Sequence, residues 1–115
     1  MWRLDYSEAA LRDFELIFDH LFEAYCHLGD PPPVAVERAA ERLRVLRSEI
    51  GRLVQTPAIG TLRIELHPNL RFVRRANAAV WFVSDPEHQT MTVIAVFYGA
   101  QDHIRHMITR LLEEE

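Results

Sequence analysis

The sequence predicts an α+β fold in two layers: an N-terminal strand and a helical hairpin packed on an antiparallel sheet, closed by a C-terminal helix, in the order β-α-α-β-β-β-α. Three observations point there. Two long stretches, from Glu8 to Leu28 and from Val34 to Leu53, repeat apolar residues every three or four positions, as helices that bury one face do. Between them "GDPPP" stops the first helix and forces a tight return. After residue 60 the pattern changes to short runs of β-branched and aromatic residues, which suit strands.

The first element is "WRLDY", where Trp2, Leu4 and Tyr6 alternate with Arg3 and Asp5 in the period of a half-buried strand. Ser7 follows as an N-cap, with Glu8 in the first turn of the helix. Tyr6 and Leu11 stand at the spacing of a hydrophobic staple. Leu11, Phe14, Phe18, Leu21, Tyr25 and Leu28 make the apolar stripe of the first helix, and Gly29 ends it. The second helix begins near Val34 with Pro33 as its first residue. Its stripe is Val36, Ala40, Leu43, Leu46 (or Arg47), Ile50 and Leu53, and Glu37, Arg38, Glu41, Arg42 and Arg44 populate a solvated face. Pro57 and Gly60 close the helical region.

"TLRIEL", residues 61–66, alternates Leu62, Ile64 and Leu66 and reads equally as a strand or an extended connector. His67-Pro68-Asn69 is a turn. "LRFVRRA" from Leu70 and "AVWFVS" at residues 79–84 are strands, and "DPEHQ" is a hairpin loop. "TMTVIAVFY", residues 90–98, is the most apolar strand and belongs at the centre of the sheet. Asp102 caps a last helix with Ile104, Met107, Ile108, Leu111 and Leu112 on one face. Glu113, Glu114 and Glu115 sit at the wrong end for the helix dipole and are expected to fray.

At 115 residues the chain has the length of one domain, spanning residues 1–115. A hydrophobic share of 49% and a charged share of 26% are those of a globular protein. No apolar run approaches the roughly 20 residues of a membrane span. The start has no apolar segment of a secretory signal, and the one cysteine, Cys26, forms no internal disulfide; both favour a reducing cytoplasm. The net charge of −4 argues against a general nucleic-acid binder. The charge is unevenly spread: residues 61–84 carry Arg63, Arg71, Arg74 and Arg75 against Glu65 alone. All 13 basic residues are arginine, which excludes any lysine-dependent mechanism and suits bidentate contacts to phosphate or carboxylate.

Several chemistries find no support. The four glycines are scattered and make no phosphate-cradling loop, and there is no CxxC, HExxH or serine elbow. Asp102, His103 and His106 lie within one helical turn, but Asp102 is better used as a cap and the histidines lack a partnering glutamate. No metal or cofactor is expected. The arginine group is the stronger candidate. Arg71 and Arg75 share one face of their strand and Arg74 points to the other. Tyr98, ending the neighbouring apolar strand, approaches the Arg71/Arg75 surface in this reading. Arg63, Arg71, Arg74, Arg75 and Tyr98 are therefore candidates for binding a phosphate or an acidic partner, weighed against ordinary surface ion pairs.

The element order, the hairpin "PNLRFVRRANAAVWFVSD" and the closing "TVIAVFYGAQDH" resemble the RelE/ParE superfamily of toxins from type II toxin–antitoxin modules, over nearly the whole chain. The most specific feature is the joint Tyr98-Gly99-Ala100-Gln101-Asp102 after the last strand. The resemblance implies a helical hairpin on an antiparallel sheet with the first strand beside the last, and a small antitoxin whose tail folds along the toxin. It also implies one of two activities. ParE-like members bind DNA gyrase and trap it on DNA. RelE-like members are ribosome-dependent mRNA endonucleases that use Lys and Arg with a late Tyr or His. With no lysine, and with Ala100 and Gln101 where both branches commonly have basic residues, the chain is expected to be a ParE-like, non-enzymatic gyrase inhibitor. The alternatives are an mRNA endonuclease acting through Arg71, Arg75 and Tyr98, and a non-toxic interaction domain on the same fold.

Overall fold

A computed structural model describes residues 1–99 and 102–113. Ala100 and Gln101 of the joint, and the terminal Glu114 and Glu115 expected to fray, lie outside the described residues. The elements are β1 (Arg3–Tyr6), α1 (Glu8–His27), α2 (Pro32–Gly51), a 3-10 turn (Arg52–Gln55), β2 (Thr61–Leu62), β3 (Leu70–Arg75), β4 (Ala78–Asp85), β5 (Thr90–Tyr98) and α3 (His103–Glu113).

Helix α1 starts where the sequence places it. The Ser7 hydroxyl accepts the backbone N–H of Ala10 at 3.1 Å, satisfying one of the orphan donors of the first turn. Its buried stripe keeps Phe14 and Leu21 of the expected one, with Phe18 and Tyr25 packed beside them, and adds Ala10 and Ile17, while Leu11 and Leu28 face solvent. The staple changes with it, since the Tyr6 ring meets Phe14 edge-on at 5.6 Å. Helix α2 buries Leu46 and Ile50 as expected, with Leu53 just beyond its end, and departs only in its first turns, where Ala35 and Ala39 are buried and Val36 is exposed. Periodicity establishes that a stripe exists. Its centre depends on which face the partner element meets, and small Ala side chains allow the closest approach.

The sheet order is β1-β5-β4-β3-β2. Strands β3 to β5 form the expected antiparallel meander, which β2 extends at one edge; β4 holds the centre of the sheet, and β5, expected there, lies beside it. Strand β1 is the exception, pairing parallel to β5 with Leu4 opposite Met91. The helical hairpin returns the chain to the end of the sheet where β1 began, as the bond from Ser84 Oγ to the Pro57 carbonyl shows. From that end β3, β4 and β5 alternate in direction, which leaves β5 running with β1. Residues 61–66 are strand only at Thr61–Leu62; the chain then turns, with the N–H groups of Leu66 and His67 bonded to the Arg63 carbonyl, and Ile64 is exposed. Gly60 is required for the approach to β3, because a Cβ there would lie 2.3 Å from the Phe72 carbonyl oxygen.

The sheet has a core on each face. The hairpin covers Val73, Val80, Phe82, Met91, Val93 and Val96. On the opposite face α3 packs against Leu70, Ala79, Trp81, Ala95 and Phe97 through Met107. Ile108 and Leu112, expected on the apolar face of α3, are exposed. The closing helix therefore lies across the sheet from the hairpin.

Candidate functional site

Strand β1 covers only the first half of β5, from Thr90 to Val93. Beyond it, side chains close the open edge. Asp13, on the buried face of α1, accepts the N–H of Val96 at 2.8 Å. Its two oxygens receive the Arg110 guanidinium of α3 at 2.7 and 2.8 Å. Arg110 also donates to the Ile94 carbonyl at 3.2 Å and lies over the Phe97 ring. The Asp13 side chain is 5% exposed and that of Arg110 21%. This pair ties α1, β5 and α3 together at one point. Beside it a cleft of about 480 Å³ opens between α1 and α3, with His20, Tyr98 and His106 on its walls.

The last turn of β5 directs Tyr98 to the hairpin face. Its hydroxyl accepts from Arg42 of α2 at 3.0 Å, and its ring lies 6.5 Å from that of His20. The phenol oxygen holds Arg42 even more firmly protonated than usual. On the α3 face, Arg74 donates to the Gly99 carbonyl at 2.8 Å, fixing the start of the joint. His103 Nδ1 accepts the indole N–H of Trp81 at 3.2 Å, and its ring meets Phe72 edge-on. Burial, and then the charges of Arg74 and Arg63, lower the His103 pKa below the ordinary imidazole value, with Asp102 opposing them in part.

The remaining sequence candidates take up distinct positions. Arg71 and Arg75 do share a strand face, but it is the face covered by the hairpin. They stand four residues apart, roughly 13 Å along the strand. Arg75 lies in register with Ala78 of β4, which in turn faces Tyr98 of β5, so Arg75 and Tyr98 are two strand spacings apart, about 10 Å. Arg71 is at the opposite end, in a separate pocket with Trp2 and Pro57. Arg63 pairs with Glu65. Asp102 accepts the Arg105 N–H at 3.2 Å as a cap, and His106 packs against Phe97. Among the described residues, Asp102, His103 and His106 bring no three ligand atoms together. The group that does is Asp85, Glu87 and His88 on the β4–β5 loop, where Asp85 and His88 already bond each other at 2.7 Å.

Asp13, Arg110, Arg42 and His20 escaped the sequence reading. A signal for Asp13 was present: an acid three residues after Ala10 lies on the face that Ala10, Phe14 and Ile17 bury. The arrangement offers guanidinium, imidazole and phenol groups around a cleft for an anionic or hydrogen-bonding partner.

The sequence matches no known family model and no curated protein. Solved structures do share the fold. A chain of the chromosomal ParDE toxin–antitoxin system from P. aeruginosa superposes with a TM-score of 0.64 at 17% identity, over 87% of this chain and 98% of that one. The isolated E. coli RelE toxin superposes with a TM-score of 0.52 at 15% identity, over 97% of this chain and 99% of that one. The intact E. coli RelBE toxin–antitoxin complex gives 0.51 at 16% identity, over 88% and 100%. At these identities the likeness is one of fold, and it is the RelE/ParE fold that the resemblance in sequence implied.

Proposed function

We propose that the protein is the toxin subunit of a type II toxin–antitoxin module, ParE-like in action: a cytoplasmic binding protein that inhibits DNA gyrase and is neutralised by a small antitoxin. The observation that carries this reading is the superposition on the ParDE chain, whose TM-score of 0.64 exceeds the 0.52 of RelE. Two features of the chain support the branch. It has no lysine. Arg71, Arg75 and Tyr98 are spread over opposite ends of the sheet, with the Tyr98 hydroxyl engaged by Arg42, an arrangement poorly suited to gathering around one ribose and its phosphate. Binding instead uses exposed charged and apolar groups over a broad surface, which needs no general base.

The test has two arms. Expressed alone, the chain arrests growth, and co-expression with the small open reading frame beside its gene restores it. In vitro, the purified protein inhibits gyrase supercoiling and leaves translated mRNA intact. Cleavage of mRNA in codon register would overturn the reading in favour of a RelE-like endonuclease; Arg75→Ala and Tyr98→Phe would then be expected to abolish the cleavage. Unaffected growth would favour a non-toxic interaction domain.

A further inference from the structure

At the end of the sheet where β1 begins, remote from Tyr98, the hairpin face holds a small pocket of about 160 Å³. Trp2, Pro57, Ala58, Leu62 and Pro86 give it largely apolar walls, and Arg71 lines it from β3. Arg71 is half-buried there and, among the described residues, its side chain has no hydrogen bond, ion pair or ring contact. The other arginines of its segment are engaged: Arg63 by Glu65, Arg74 by the Gly99 carbonyl, Arg75 by the Arg74 carbonyl. The nearby acid Asp85 is taken by His88. No side-chain nitrogen lacking a partner is buried among the described residues, so the Arg71 fork still meets solvent at the pocket mouth, and its five donors are open to an arriving anion.

We propose that this pocket receives the carboxylate of a glutamate in an extended segment of a partner protein. The volume accommodates one side chain, well below the several hundred Å³ of a typical small-molecule site. The apolar walls suit the methylenes of glutamate, and the planar fork of Arg71 suits its carboxylate. Leu62, one wall of the pocket, belongs to β2, the outermost strand of the sheet. The outer edge of β2 is unpaired among the described residues and offers backbone groups to an extended chain. The inference stands apart from the toxin reading, because it requires only a partner with such a segment.

Trp2 reports on occupancy, since it is half-buried at the pocket while Trp81 is fully buried and gives a constant background. The probes are two blocked peptides, TLELT and its amide counterpart TLQLT, titrated against the intact protein by tryptophan emission and calorimetry. TLELT is expected to bind at least about tenfold more tightly than TLQLT. Arg71→Gln removes that preference, and Arg12→Gln, the same charge change on α1, retains it. Should Arg71→Gln fail to fold, Arg71→Lys keeps the charge but loses the fork and reduces the preference severalfold. Equal affinity for the two peptides, a preference undiminished in the Arg71 variants, or no binding at about millimolar peptide overturns the proposal. None of these outcomes bears on growth arrest or gyrase inhibition.

Discussion

On one face of the sheet, two helices of 20 residues each bury Phe14, Ile17, Leu21, Leu46 and Ile50 against Val80, Phe82, Met91 and Val93. On the other, one helix of 11 residues covers Trp81, Ala95 and Phe97 with Met107 as its one buried side chain among the described residues. The first face is held by area, which is non-directional and shared among many residues. The second is held by a few specific contacts: Met107, the Trp81–His103 hydrogen bond, and the Asp13–Arg110 pair that reaches around the edge of β5. Elements with little buried apolar surface open locally at low free energy. Helix α3 is therefore expected to be the first part of the molecule to loosen, and the hairpin core the last.

Each of four changes breaks or sharpens that contrast. The largest effect is expected at the hairpin core, where Ile50→Ala empties a fully buried site and costs about 3–4 kcal/mol, read as a fall in the urea midpoint. Next, Asp13→Ala takes the carboxylate from Arg110 and the acceptor from the Val96 N–H, costing about 3 kcal/mol. Adding Arg110→Leu is expected to recover part of that loss, and a double variant no better than the single one would show that the charge is not the cause. Met107→Ala costs about 2 kcal/mol, and hydrogen exchange should quicken in α3 while β3–β5 keep their protection. Equal loss of protection in the strands would mean that the two faces unfold as one. Smallest is Ser7→Ala, about 1 kcal/mol from the lost N-cap of α1.

The α3 face also carries a pH dependence of its own, through His103. The folded protein lowers the His103 pKa, so folding favours its neutral form. The contribution is complete at pH values above the ordinary imidazole range. It is lost as pH falls through that range toward the depressed folded value, because the unfolded chain takes up the proton first. Protonation also removes Nδ1 as the acceptor for Trp81. Exchange in α3 is expected to be faster at pH 5.5 than at pH 7.5. His103→Gln keeps an acceptor oxygen but does not titrate, and should flatten the difference. A persistent slope in that variant would point to another group.

Much of this molecule was legible in the residues. The N-cap at Ser7, the break at the prolines and the exact span of β5 follow from local chemistry, which acts on neighbours in the chain. The functional surface was less so. The even spacing of Arg71 and Arg75 correctly gave them a common face. It carried no information on whether that face was open or covered by the hairpin. Tyr98 was singled out, but its partner Arg42 is 56 positions away and on an apparently solvated helix face.

The sequence by itself determined the order and type of every element except β2, because propensity, capping and periodicity are short-range and each long element needs only its own residues. Tertiary structure alone decided that Ala10, Ile17, Ala35 and Ala39 join the buried stripes while Leu11 and Val36 leave them, that β1 runs parallel to β5, that α3 crosses to the far face, and that Asp13 meets Arg110 across 97 positions. Those outcomes depend on which surfaces meet when the chain closes on itself. The energy that selects them comes from burying apolar area and satisfying buried charge, and neither is defined until distant segments are brought together.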